Sequence, residues 1–180
     1  IKGQMFIHPE MGFRFTVPHE FLLINTPRSV IAKGPNDAII QFDTTNKPYN
    51  NSMANYITRI WAPKTNFLKV NKIKVNEMPG ATARTQIRQK HGVFDLQLTA
   101  IKYINSRIYR FIYLTRINQT KLLDRSLRQT TYSLKNISRA EAKKIRPARV
   151  LIKAVEAQSS IKSFARLMSV GQFREETFRV

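Results

Sequence analysis

A chain of 180 residues, 42% hydrophobic and 23% charged, carries enough apolar material for one good core, which excludes wholesale disorder. With no cysteine, disulfides and thiolate metal sites are excluded as well. Thirty-one basic residues against eleven acidic ones give a net charge of +20, a charge that asks for an anionic partner or serves solubility.

Residues 12–17 alternate Phe13, Phe15 and Val17 with Arg14 and Thr16, a period of two that predicts a half-buried strand. Three further short strands are expected over 21–24, 29–33 and 38–43, with Pro27 and the run Gly34-Pro35-Asn36-Asp37 supplying the turns. The period then changes. Met53, Tyr56, Ile57 and Ile60 recur at helical spacing, so a helix is expected over 52–61, capped by Asn51 or Ser52 and ended by Pro63. A hairpin is expected from 68–77 to 81–89 around Met78-Pro79-Gly80. A second joins 94–103 to 107–116 through Asn105-Ser106, and its last strand looks buried on both faces.

A helix over 119–135 follows, with Leu122, Leu123, Leu127 and Tyr132 on one face, and Ser138 with Glu141 forms a capping box for a short helix to Lys144. Pro147 breaks the chain and the composition shifts, so a boundary is placed near Arg146. Beyond it a strand over 149–155, a helix capped by Ser159 or Ser160 and running to Met168, and a second helix from about Gln172 are expected. The chain opens on Ile1 and ends at Val180 inside a helical pattern, which predicts a piece of a longer protein.

The wording FIHPEMGFRFTVP, the INTP turn, AIIQFD, MPGATA, IYRFIYLTR and RAEAKKIRP resembles the non-catalytic C-terminal region of alphaproteobacterial zinc metallopeptidases of the HtpX/CAAX-protease type. The order of strands and helices over 1–146 resembles the PsbP-like fold, which implies an α+β architecture: an antiparallel sheet with helices packed on its faces. Residues 147–180 resemble a truncated βαα LysM-type module, with Gln158, Ser159 and Ser160 where such repeats place Gly-Asp-Thr. The resemblance implies an accessory region that positions substrate proteins or holds its enzyme at the bacterial envelope, periplasmic or membrane-associated. Its partners would be the upstream catalytic and helical-repeat regions, envelope proteins, anionic lipid or peptidoglycan. Zinc would belong to the parent protein, outside this segment, and no cofactor is expected in the segment itself.

The chemistry of the residues agrees with a non-catalytic role. A zinc peptidase of this type needs HExxH on a helix, two imidazoles one turn apart with a glutamate beside them. His19-Glu20 starts that pattern, but Leu23 stands where the second histidine belongs. No G-x-S-x-G elbow or glycine-rich phosphate loop is present. The competing expectation is a stand-alone basic module for nucleic acid or anionic membrane surfaces, since Tyr103, Tyr109, Phe111 and Tyr113 interleave with arginines as a stacking sheet does. Between residues 101 and 150, thirteen basic residues face two acidic ones. Arg107, Arg110, Arg116, Lys143, Lys144 and Arg146 are the candidate contacts to such a partner. The simpler reading of the aromatics is core.

Overall fold

The structure, a computed structural model, describes residues 1–103, 107–145 and 160–167. Alternation builds the smaller of two antiparallel sheets. In β2 (Phe13–Thr16) the two phenylalanines are buried and Arg14 and Thr16 look outward. β1 (Met5–His8) lies beside it with Phe6 opposite Phe15, a strand the sequence pattern did not announce. β10 (Lys135–Asn136) pairs with the other edge of β2.

Seven strands make the main sheet: β3 (Leu22–Asn25), β4 (Val30–Lys33), β5 (Ile39–Thr45), β6 (Lys69–Val75), β7 (Met78–Gln89), β8 (Gly92–Lys102) and β9 (Ile108–Arg116). Their order is β3-β4-β5-β9-β8-β7-β6, every neighbouring pair antiparallel. This is the expected α+β arrangement. β9 sits in the middle, and both its faces are covered. Tyr109 and Phe111 meet the small sheet on one side, where Phe42 of β5 stands 4.7 Å from the Phe15 ring and 4.8 Å from Phe111. On the other side Ile108 packs with Met53, Tyr56 and Ile57.

Those last three residues come from α1 (Met53–Asn55) and the π-helical turn Tyr56–Trp61 that continues it. Ser52 caps the start by accepting from the Asn55 N–H, as the sequence suggests. The helix is not regular: Ala62 N–H reaches back to Ile57 C=O, five residues away, a widening that keeps Tyr56 and Ile57 both inward. Against the first face lies α2 (Thr120–Ser133), with Leu123, Leu127, Thr130 and Thr131 buried. Leu122 and Tyr132, expected on that same face, are instead 75% and 45% exposed. A helix advances about 100° per residue, so Leu122 cannot share the stripe of Leu123 and Leu127. α3 (Arg139–Lys144) begins with the predicted capping box: Ser138 N–H donates to Glu141 Oε2 at 2.8 Å, and Glu141 N–H to Ser138 Oγ at 3.1 Å. The Ser138 donors hold the Glu141 carboxyl below its ordinary pKa.

One expected turn is displaced. The β6–β7 hairpin turns at Asn76-Glu77, both with positive φ (44° and 68°), and not at Met78-Pro79-Gly80. A two-residue loop needs two left-handed positions, and Asn tolerates the first better than most residues. Asn76 also ties the turn to the end of α2 by donating to Leu134 C=O at 2.7 Å. Pro79 is accommodated inside β7 because β8 begins pairing only at Gly80, opposite Ile101. Beyond the boundary near Arg146 only the segment 160–167 is described, containing the short helix α4 (Ile161–Ala165), capped by Ser160. The expected strand over 149–155 and the helix from Gln172 lie outside the described residues.

Burial of two tyrosines has a measurable consequence. Desolvation raises the Tyr109 pKa to about 12, partly offset by the nearby Arg107, and raises that of the fully buried Tyr113 still higher. The folded state therefore holds these protons above the unfolded value of ~10, so stability is full below pH ~10 and falls as pH rises beyond it. The check is alkaline titration followed by tyrosinate absorbance and far-UV circular dichroism. Tyr109 and Tyr113 ionise only as the circular dichroism collapses. A single transition of all six tyrosines near pH ~10 with intact secondary structure would contradict this packing.

Candidate binding groove

The six cations singled out from the sequence do not form one patch. Arg107 donates to Met11 C=O at 3.0 Å and to Asn46 at 3.4 Å. Arg116, at the far end of β9 and so on the order of 25–30 Å away at ~3.3 Å per residue, grips Asp37 and donates to His91 C=O. Between them Arg110 makes a bidentate pair with Asp43, Nε to Oδ1 at 2.6 Å and Nη2 to Oδ2 at 2.9 Å, with its guanidinium 5.0 Å from the centre of the Trp61 ring. Burial opposes the Arg110 charge, but the Asp43 carboxylate outweighs it, so its pKa rises. Lys143 and Lys144 are exposed in the last turn of α3, where cations complement the helix dipole. Arg146 lies outside the described residues.

The stacking arrangement fails on alternation. Tyr109, Phe111 and Tyr113 point into the core and are fully buried, while Arg110 and Arg116 occupy the opposite face of β9. The histidines are also apart. Leu23 and its neighbours lie in β3, paired with β4, so His19-Glu20 does not stand on a helix. Among the described residues no group of three or more His, Cys, Asp or Glu could hold a metal ion, and no helix is long and apolar enough to cross a membrane.

A different site is present, one the sequence reading missed. α2 packs on β2 and β9 and leaves part of its face of the main sheet, around Lys69, Asn71 and Arg84, exposed, while Val75, Thr99 and Ile101 on the same face are buried. The side chains there are polar. Lys69, Arg84 and Gln97 stand side by side across three strands, and Asn71, Thr82 and Thr99 form the next row. Between these rows and α2 runs a trough in two adjoining parts of about 260 and 240 Å³, which share Lys69, Arg84, Gln97, Asp124 and Arg128. Arg84 spans it as a strut: Nε donates to Gln97 Oε1 at 2.5 Å and Nη2 to Asp124 Oδ1 at 2.6 Å. Arg128 stands 4.0 Å from the other Asp124 oxygen. With side chains 44%, 33% and 64% exposed, Arg84, Asp124 and Arg128 are solvated, and a pair of this kind holds by only ~0–1 kcal/mol. The floor is fixed by Tyr113 OH and Thr131 Oγ1, bonded at 2.7 Å beneath it. The signal in the sequence was a run of polar residues at alternate positions in three successive strands.

No protein-family profile matches the chain, and no curated protein does. Solved structures do match its backbone. Cyanobacterial PsbP (CyanoP) from Synechocystis sp. PCC 6803 is 8% identical with a TM-score of 0.55, over 76% of this chain and 94% of that one. The chain has the PsbP-like fold. LpqN of Mycobacterium tuberculosis, described as involved in cell envelope biogenesis, shares it at a TM-score of 0.51 and 5% identity, over 70% of this chain and 83% of its own. A protein of Bacteroides thetaiotaomicron VPI-5482 is 12% identical with a TM-score of 0.56 over 78% of this chain. This chain spans about half the length of that protein, 51% of it. The PsbP-like module here thus carries an open, cationic trough on the face that α2 half covers.

Proposed function

We propose that this chain is the accessory, non-catalytic part of a bacterial zinc-dependent metalloendopeptidase of the HtpX type, positioning substrate proteins or the enzyme itself at the cell envelope. The observation that carries the reading is the trough: a solvated, polar binding surface on a rigid sheet, built from residues that bind rather than react. Arg84, Gln97 and Asp124 supply hydrogen bonds in fixed directions, and no activated nucleophile accompanies them among the described residues. The wording shared with the C-terminal regions of such peptidases, and the same fold in an envelope-biogenesis protein, add support. The LysM-like segment after Arg146 would be a second contact to the envelope.

The test is made on the native protein. Peptide mapping upstream of Ile1 is expected to yield an HExxH peptide, in a protein well above the 20.9 kDa of this chain. Removing residues 1–180 from that protein should leave cleavage of a short fluorogenic peptide intact and lower cleavage of casein about tenfold, as loss of remote positioning does. Zinc-dependent proteolysis by this chain alone, or a native product without HExxH, overturns the reading. The second result would favour a stand-alone basic module for nucleic acid or anionic membranes.

A further inference from the structure

The trough has a charge sign, a length and an edge, and together these specify an occupant. Its rim carries Lys69, Arg84 and Arg128 against two carboxylates, Asp124 at the centre and Asp95, which accepts from Thr120 and Gln86. Two of Arg84's donor groups are held by Gln97 and Asp124, while Nη1 takes part in neither bond. Asp124 is shared between Arg84 and Arg128, so an added carboxylate would complete the cation pairing that one acid cannot satisfy. The trough follows α2 from Thr120 to Tyr132, about 18 Å at 1.5 Å per residue, which matches some five residues of extended chain. Along its outer side runs β6, the last strand of the sheet, whose outer edge no described strand pairs with. Exposed Leu68 and Tyr132 stand at its two ends as apolar contacts. A small anion would leave most of this surface unused.

We infer that the trough between α2 and β6–β8 binds an extended acidic segment of a protein partner, its Asp or Glu carboxylates meeting Arg84, Arg128 and Lys69 and its backbone lying beside β6. Gln97, Thr82 and Asn71 line the polar floor beneath the peptide. The inference deepens the positioning role proposed above and rests on it only for the partner being a protein. Steering by the chain's +20 charge would bring acidic segments to the whole surface, and the trough would select those that fit.

The experiment uses the 180-residue chain and a fluorescein-labelled peptide of alternating Glu and Val, read by anisotropy at physiological salt. The matching Gln–Val peptide is expected to bind at least about tenfold more weakly, and Arg84→Gln with Arg128→Gln to lower affinity for the acidic peptide about tenfold. Since Arg84 braces α2 against the sheet, Lys69→Gln with Arg128→Gln, both at solvated positions, gives a second reading free of that strut. The control is Lys72→Gln with Lys74→Gln, of equal charge loss on the opposite face of β6, expected to change affinity less than about threefold. Equal losses from the control pair, equal binding of the Gln–Val peptide, or no binding at all each overturn the trough as an acidic-peptide site. Tighter, trough-dependent binding of an oligothymidylate of matching charge would reassign it to nucleic acid. Each outcome is read without reference to any peptidase, so a failure here leaves the accessory role standing, and the absence of an upstream HExxH leaves the trough standing.

Discussion

Phe42→Ala is expected to destabilise the fold by about 3–5 kcal/mol, the range for an aromatic deleted from a core that cannot close over the gap. The ring joins the two sheets: it lies 5.2 Å from Phe13, 4.7 Å from Phe15, 5.9 Å from Tyr109 and 4.8 Å from Phe111. Its neighbours are large rings held in two different sheets, so removing one leaves a void that neither sheet can fill by sliding. Against a typical total of ~5–15 kcal/mol, such a loss leaves little reserve. Chemical denaturation should show a midpoint shift with an unchanged slope. Exposed Leu122→Ala, at the back of α2, should change stability by less than about 0.5 kcal/mol. Equal effects from the two substitutions would mean that the small sheet does not pack on Phe42.

Much of this core was legible beforehand because strand alternation is a local property. Phe13 and Phe15 against Arg14 and Thr16, and Tyr109, Phe111 and Tyr113 against Ile108, Arg110 and Ile112, fix their faces without knowledge of the rest of the chain. Capping is equally local, which is why Ser52 and the Ser138–Glu141 box stand where expected. What failed depended on partners. β1 reads MFIH, too short to register until Phe15 is placed opposite Phe6. Met78-Pro79-Gly80 carries two usual turn residues and so reads as the hairpin turn, whereas the pairing of Val75 with Met78 requires the turn at Asn76-Glu77. β7 absorbs Pro79 because its pairing with β8 begins one residue later, at Gly80 opposite Ile101.

The site was less legible than the fold, for a related reason. Density of arginine in the sequence pointed at β9, but each arginine there meets a partner that is near only after folding: Asp43 lies 67 residues from Arg110, and Asp37 lies 79 from Arg116. In the trough the cations are scattered along the chain instead of clustered. Lys69, Arg84, Gln97 and Arg128 are scattered singly through the chain and look like ordinary solvated positions. They become a site only because three strands register them in one row and α2 crosses β9 rather than β7. Charge density in a sequence measures how many cations there are; pairing in the fold decides which of them still face a ligand.

Arg110 puts that distinction to an experiment. Replacing it by Met keeps the stem that packs beside Trp61 but leaves the Asp43 carboxylate, only 19% exposed, without its two charge-assisted bonds. Breaking a fully buried pair from one side costs about 3–5 kcal/mol, and the residual solvent access here lowers the expectation to about 2–3 kcal/mol. Arg110→Lys restores a charge but not the fork, and should recover about half of the loss. Adding Asp43→Asn to Arg110→Met removes the stranded charge, so the double variant should be more stable than Arg110→Met alone, a non-additivity readable in a double-mutant cycle. Affinity for the Glu–Val peptide, measured below the melting transition, should stay within about threefold of the parent chain, since Arg110 faces α1 on the side of the sheet away from Arg84. A variant that keeps its stability and loses the peptide would instead make Arg110 a ligand contact, and place the binding surface on the α1 face.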